Sequence, residues 1–364
     1  MHKRPIESTQ VMTRRPSLSS VATAAGVSPS SVSNAYNKPE HLSAEVRARI
    51  LAIAAEQGYA GPDPAARSLR SRRAGAIGAL FSMRLPYAFS DPYCVELLTG
   101  LSETAESYRA GLLLMPLGPH TAAVDDDKVR ESVQAVRHAV IDGAVADGIP
   151  DEHPALQVLT RRGVPLVRSV DRPDGRCVIV DDRAAGRSLG EHVAQLGHRD
   201  VAVVIDAAGL SGDVRHVGAE DAEFAYARLR VAGIREALAP GARLTVVTGG
   251  ANSIESGRAA ARALLEGDAP PTAILAISDA LALGVLEVLR NRRLAPGRDL
   301  TVTGFDDVPA AAAAGLTTVR QPIREKGRLM GRMLLDSSFA ERRVVLPTEL
   351  VVRASSGLAP TTNR

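Results

Sequence analysis

Ser17-Leu18-Ser19-Ser20-Val21-Ala22-Thr23-Ala24-Ala25-Gly26-Val27-Ser28-Pro29-Ser30-Ser31-Val32-Ser33-Asn34-Ala35-Tyr36-Asn37 is the stretch on which the reading of this 364-residue chain turns. Leu18, Val21, Ala22 and Ala25 recur at helical spacing. Gly26 tolerates positive φ and stops that helix. Ser28 is a good N-cap for the next helix, with Pro29 at its first position, where a missing N–H costs nothing. Val32 and Ala35 then point inward, leaving Ser30, Ser31, Ser33, Asn34 and Asn37 on other faces. Two short helices meeting at a sharp turn, the second with a small polar face, fit a helix-turn-helix that enters the major groove of DNA. Spacing alone also fits a plain αα-hairpin, so the rest of the chain must decide.

Outward from this stretch, charge comes first. Residues 1–73 carry 11 Lys and Arg against 5 Asp and Glu, whereas the remainder carries 33 against 36. A basic N-terminal module on a mildly acidic body is the footprint of a polyanion partner. Residues 1–16 hold Lys3, Arg4, Arg14 and Arg15 without an apolar core, and read as a disordered basic tail rather than a secretory signal. Ser43 can cap a third helix running to Gln57, with Val46, Ile50, Ile53 and Ala54 as its apolar stripe and Gly58 as its stop. Residues 17–61 therefore read as one small three-helix domain. Residues 62–73 read as a linker in which Asp63 and Pro64 can start a short helix, one that forms only when binding supplies its ordering.

From Ala74 onward, short apolar strands alternate with helices. Strands are expected at 76–81, 111–115, 142–146 and 164–167, then at 177–180, 201–205, 244–247, 273–276 and 301–305. That rhythm means an α/β fold with parallel sheets covered on both faces. About four βα units precede residue 172 and about five follow it, too many for one doubly wound sheet, so two similar subdomains are expected. Sheets of this kind bind ligands at the carboxyl ends of their strands, and two of them facing each other enclose a cleft. No apolar run reaches the roughly 18 residues of a membrane span. Cys94 and Cys177 match no metal or redox spacing, the eight His are scattered, and no metal or cofactor is expected. With no export signal, both thiols are expected reduced in the cytoplasm. A Gly-x-Gly-x-x-Gly fingerprint, a P-loop and a Gly-x-Ser-x-Gly elbow are all missing, which argues against an enzyme.

Several stretches in this order resemble the lactose-repressor (LacI/GalR) family of bacterial transcription regulators. They are Gly26-Val27-Ser28 with Ser31-Val32-Ser33 and Asn37, Gly58-Tyr59, Ala66-Arg67-Ser68-Leu69-Arg70, and Leu196-Gly197-His198-Arg199. They continue with Ala227 to Gly233, Ser278-Asp279-Ala280-Leu281-Ala282-Leu283-Gly284, Gly304-Phe305-Asp306-Asp307, and Leu316-Thr317-Thr318-Val319-Arg320-Gln321-Pro322. The resemblance covers residues 17–356. It implies a helix-turn-helix fused to a two-subdomain periplasmic-binding-protein-like core (74–356), a homodimer, a small-molecule effector, by family default a sugar, and a repressor of an operator in double-stranded DNA. The N-subdomain would be about 74–171 and 307–337, the C-subdomain about 172–306 and 344–353. A solute-binding transport protein shares such a core but would need an export signal and no DNA module.

Mapped residue by residue, the family pattern puts Pro29, Ser30 and Asn34 at base-reading positions. Ser31, Ser33 and Asn37 join the DNA-binding face, the last two toward phosphates. Leu69 matches the hinge leucine that wedges into the minor groove, with Arg67 beside it. Arg230 and Asp306 match positions that hold effector hydroxyls. Ser278, Asp279, Asp182 and Ser90 are further effector candidates, and Tyr93 or Phe89 could stack on a sugar ring. After Val352 there is no leucine heptad, so no tetramerising tail is expected.

Overall fold

The structure, a computed structural model, describes residues 16–62, 73–82, 84–117, 126–172, 174–207, 212, 214–218 and 220–360. The chain forms two compact units, Met1–Arg73 and Ala74–Arg364.

In the first unit, α1 (Leu18–Ala25), α2 (Pro29–Asn37) and α3 (Ala44–Glu56) follow the expected bounds closely. Each has a serine cap: Ser17, Ser28 and Ser43 accept from the amides of Ser20, Ser31 and Val46. Gly26 sits at φ +64, the left-handed stop its residue type allows. Val21, Ala22, Ala25, Val32, Ala35, Ile50 and Ala54 make the core, with Tyr36 and Tyr59 edge-on beside it, ring centroids 6.1 Å apart. Seven buried side chains, four of them alanine, are a thin core, as a unit this small allows.

The second unit has two lobes. Lobe 1 contains a six-stranded parallel sheet ordered β12-β5-β4-β3-β1-β2, from β1 (Ala76–Phe81), β2 (Gly111–Pro116), β3 (Gly143–Asp147), β4 (Leu166–Arg168), β5 (Arg176–Val180) and β12 (Arg343–Leu346). Its helices are α4 (Leu85–Ala88), α5 (Pro92–Ser107), α6 (Asp126–His138), α7 (Pro154–Arg161) and α13 (Ile323–Leu335). Lobe 2 contains a seven-stranded sheet ordered β13-β11-β10-β9-β6-β8-β7. Its strands are β6 (Asp200–Ile205), β7 (Arg215–His216), β8 (Arg243–Thr248), β9 (Ala273–Ala276), β10 (Thr301–Asp306), β11 (Thr317–Arg320) and β13 (Glu349–Val351). Among the described residues of this sheet, only β7 and β13 pair antiparallel, at the two edges. The helices are α8 (Asp182–Gln195), α9 (Ala225–Ala237), α10 (Ile254–Glu266), α11 (Asp279–Asn291) and α12 (Pro309–Ala313).

The chain crosses between lobes three times, and this corrects the expected subdomain bounds. Residues 177–180, expected in the C-subdomain, form β5 and pair with β4 and β12 in lobe 1. Residues 307–320, expected in the N-subdomain, contribute α12 and β11 to lobe 2, where Thr303 pairs with Thr317. Residues 344–346 belong to β12 in lobe 1, not to the C-subdomain. The physical reason is that a fully buried parallel strand is a continuous apolar run whichever sheet receives it. Among the described residues no helix is long and apolar enough to cross a membrane.

Candidate functional site

The carboxyl ends of both sheets open on a cavity of about 580 Å³ between the lobes. Its two walls are built the same way. In lobe 2, α8 and α9 cross at glycines: a Cβ on Gly233 would lie 2.0 Å from the Arg183 carbonyl oxygen, and one on Gly186 2.2 Å from that of Arg230. Only glycine permits this approach, and it brings Asp182 at the start of α8 onto Arg230 of α9, Nε to Oδ1 at 2.8 Å. In lobe 1, α5 and α13 cross at Gly100 and Gly327 in the same manner. Lys326 of α13 is thereby set against Tyr93 of α5, Nζ to Oη at 2.8 Å, and 3.3 Å from Asp147. Each wall thus carries a buried cation already paired with a carboxylate.

Arg230 is fixed on every side. It donates to Asp182 and to the Ile277 carbonyl, and its guanidinium lies 3.4 Å from the ring centroid of Phe305. Burial works against its charge, but Asp182 and Asp306 outweigh burial and raise its pKa. Asp306 ends β10 with φ +124, and Asp307 follows at φ +58. Two consecutive non-glycine residues at positive φ are strained, and such strain persists only where surroundings hold it. Gln321 donates to Asp306 at 2.6 Å, while Arg320 and Arg353 grip Asp307 at 2.7 Å each. The outcome is one carboxyl turned into the cavity and its neighbour turned away. Burial, reinforced by Asp279, holds the Asp306 carboxyl well above the ordinary range. Burial likewise pushes Asp206 up to about 6, although Tyr226 donates to its Oδ2 at 2.5 Å.

A polar relay crosses the cleft. Asp91 caps α5 and accepts from Tyr87 at 2.6 Å and from the Asn252 amide at 3.2 Å. Asn252 in turn accepts from Ser278, the N-cap of α11, at 2.5 Å. Lobe 1 and lobe 2 are thereby joined through three side chains without an ion pair.

Residues 17–61 match the family model of bacterial regulatory proteins of the lacI family, and residues 191–356 match that of periplasmic binding protein-like domains. An HTH-type transcriptional regulator of Mycolicibacterium smegmatis is 39% identical over 361 residues, covering 94% of this chain and 97% of the relative. The chain belongs to the LacI family. A second relative, the HTH-type transcriptional regulator IpsA of Corynebacterium glutamicum, is 38% identical, covering 91% of this chain and 94% of the relative. A solved LacI family regulator from Corynebacterium glutamicum superposes with a TM-score of 0.68 at 30% identity, covering 94% and 98% of the two chains. The Lac repressor dimer bound to operator shares the fold, with a TM-score of 0.72 at 23% identity and coverage of 95% and 100%. This LacI family member is a DNA-binding transcriptional regulator with a periplasmic-binding-protein-like ligand domain.

Within this LacI-type core, Asp182, Arg230, Ser278 and Asp306 line the cavity, as does Tyr93. Two expected positions are corrected. Ser90 is exposed and lies outside the lining, its hydroxyl turned back onto the Tyr87 carbonyl at 3.3 Å. Asp279 is fully buried behind the cavity, where Thr318 Oγ1 at 2.7 Å and the Val308 amide at 2.9 Å occupy its oxygens. Phe89 is 63% exposed and also off the lining. On α2, Pro29, Ser30 and Asn37 are exposed and Ser31, Ser33 and Asn34 half-buried. Ser30 and Ser31 lean on the Ser28 hydroxyl, Asn37 donates to the Ser33 carbonyl, and the Asn34 carboxamide has no side-chain partner among the described residues. Arg67 and Leu69 lie outside the described residues. Sequence reasoning missed Asp206, Asn252 and Lys326. Asp206 follows directly on β6, so the strand-end rule that found Ser278 reaches it too. Lys326 stands between Ile323 and Met330 on the apolar face of α13, where a lysine without a partner would be costly.

Proposed function

We propose that this regulator is a repressor, that it acts as a homodimer on a pseudo-palindromic operator, and that a sugar or sugar derivative in the interlobe cleft controls its DNA affinity. The observation that carries this reading is the clamp of Arg230, Asp182 and Asp306 at the cavity wall. A planar guanidinium and a carboxylate in fixed geometry each hold two neighbouring hydroxyls. In keeping with it, a solved CelR is a cellobiose complex that superposes with a TM-score of 0.65 at 26% identity, covering 94% and 100% of the two chains.

On the DNA side, Asn34 pairs bidentately with adenine, Ser30 takes a second base edge, and Pro29 contributes apolar contact. Ser33 and Asn37 hold phosphates and set the register, with Ser31 beside them on the DNA-binding face. Leu69 opens a base step in the minor groove with Arg67 beside it. One helix-turn-helix covers a single half-site, so a second copy supplies the other. The test is selection of bound DNA from a random pool, followed by titration of the selected site with and without candidate sugars. A selected palindrome released by one sugar supports the proposal. Steady turnover of that sugar would make the cleft an active site instead.

A further inference from the structure

We infer that the cleft is built for an uncharged polyhydroxy ligand and against phosphorylated or otherwise anionic ones. This rests on reading the cleft as an effector site. Among the described residues four cations line the cavity, and each is paired with a carboxylate. Arg230 pairs with Asp182 and Lys326 with Asp147, while Arg343 pairs with Asp171 and Arg183 with Glu236. Asp91, Asp181 and Asp206 also line it and have no ion-pair partner among the described residues, while Asp306, whose proton burial retains, offers hydrogen bonds rather than charge. Among the described residues an incoming phosphate therefore meets no unpaired cation and the unpaired carboxylates of Asp91, Asp181 and Asp206.

Backbone amides at a helix start are the other way to hold a phosphate. At three helix starts whose caps line the cavity, the cap already takes one of the free amides: Asp91 that of Cys94 at 2.9 Å, Asp181 that of Ala184 at 2.9 Å, and Ser278 that of Leu281 at 3.2 Å. Two of these caps are themselves carboxylates. A fourth start, Phe224–Ala225 of α9, has no side-chain cap. There Glu223 acts electrostatically on Asp206, and the Phe224 and Tyr226 rings stack 5.4 Å apart. An acid-flanked aromatic pair suits the C–H face of a sugar ring, not a dianion. Asp206 adds a hydroxyl acceptor, since its Oδ1 has no hydrogen-bond partner among the described residues and the residue is only 6% exposed.

The test is calorimetric titration of the full chain with neutral sugars and polyols, each beside its phosphate monoester: glucose and glucose 6-phosphate, ribose and ribose 5-phosphate, cellobiose and its 6-phosphate, extended across a library. Like-charge juxtaposition should weaken the ester of the binding sugar by about 100-fold or more. Ester binding as tight as that of the neutral parent overturns this inference and leaves the sugar reading standing. Failure of both series, with DNA still bound, overturns the sugar reading and this inference with it. Asp206→Asn should narrow the gap between the two series, and an unchanged gap would contradict its electrostatic basis.

Discussion

Asp206 shows what one buried carboxyl does to the energetics. Its pKa is near 3.9 in an unfolded chain and is raised to about 6 in the fold, mainly by burial. The native state therefore holds the proton more tightly. The stability that proton contributes is complete below pH ~4 and is lost as pH rises through ~6. Asp206→Asn removes the titration and keeps an acceptor for Tyr226. It should stabilise the core at pH 8 by up to roughly 2–3 kcal/mol and not at pH 4. Thermal melts at the two pH values check this, and an equal offset at both would contradict it. Arg230 makes the opposite case. Arg230 and Asp182 are both nearly buried, so Arg230→Ala strands a carboxylate and should cost about 3–5 kcal/mol. Arg230→Met combined with Asp182→Leu should recover most of that in denaturant titrations. Both variants should still bind DNA and no longer respond to the effector.

At the scale of elements, the glycine crossings connect packing to the site. Gly233→Ala drives a methyl group into the Arg183 carbonyl, so α8 and α9 must separate. Overpacking of this kind costs about 1–3 kcal/mol. The specific expectation is that sugar affinity drops further than that of a surface control such as Arg235→Ala, because the Arg230–Asp182 geometry is lost. In the first unit, Ser28→Ala removes the cap of α2 and should lower its stability by about 1 kcal/mol. Much of this level was legible in the sequence. Caps and stops are local, so Gly26, Ser28, Pro29 and Ser43 set the first three helices within a residue of their observed bounds. The placement of 177–180 and 307–320 was not legible, because which sheet receives a buried strand depends on partners far along the chain. Ser90 and Asp279 failed for a related reason. A strand-end or helix-start position selects a polar residue, but the direction of its side chain follows from neighbours such as Thr318 and Val308 that only the fold brings near. Lys326 was hidden because its partners, Tyr93 and Asp147, come from two other elements.

For the whole molecule, the basic charge of residues 1–73 and the acidic cleft imply two different salt responses. If a dimer neutralises about six phosphates, operator affinity should fall by about a thousandfold between roughly 50 and 200 mM salt. Affinity for a neutral sugar should hardly move over the same range, because its hydrogen bonds release no counterions. Equal salt dependence of the two would mean that the cleft ligand is charged. The relay through Asp91, Asn252 and Ser278 joins the lobes by hydrogen bonds, and under the proposed function it is the contact that a bound ligand would strengthen or break.

Coupling between sites is reciprocal: the factor by which sugar changes operator affinity must equal the factor by which operator changes sugar affinity. The most direct measurement is therefore a pair of titrations of the full chain, operator with and without saturating sugar, and the same sugar with and without operator. The sugar used is the one that first raises the melting temperature of the core. The expected result is the same factor in both, about 5–150-fold. An operator affinity unchanged at saturating sugar would contradict the claim that the cleft controls DNA binding.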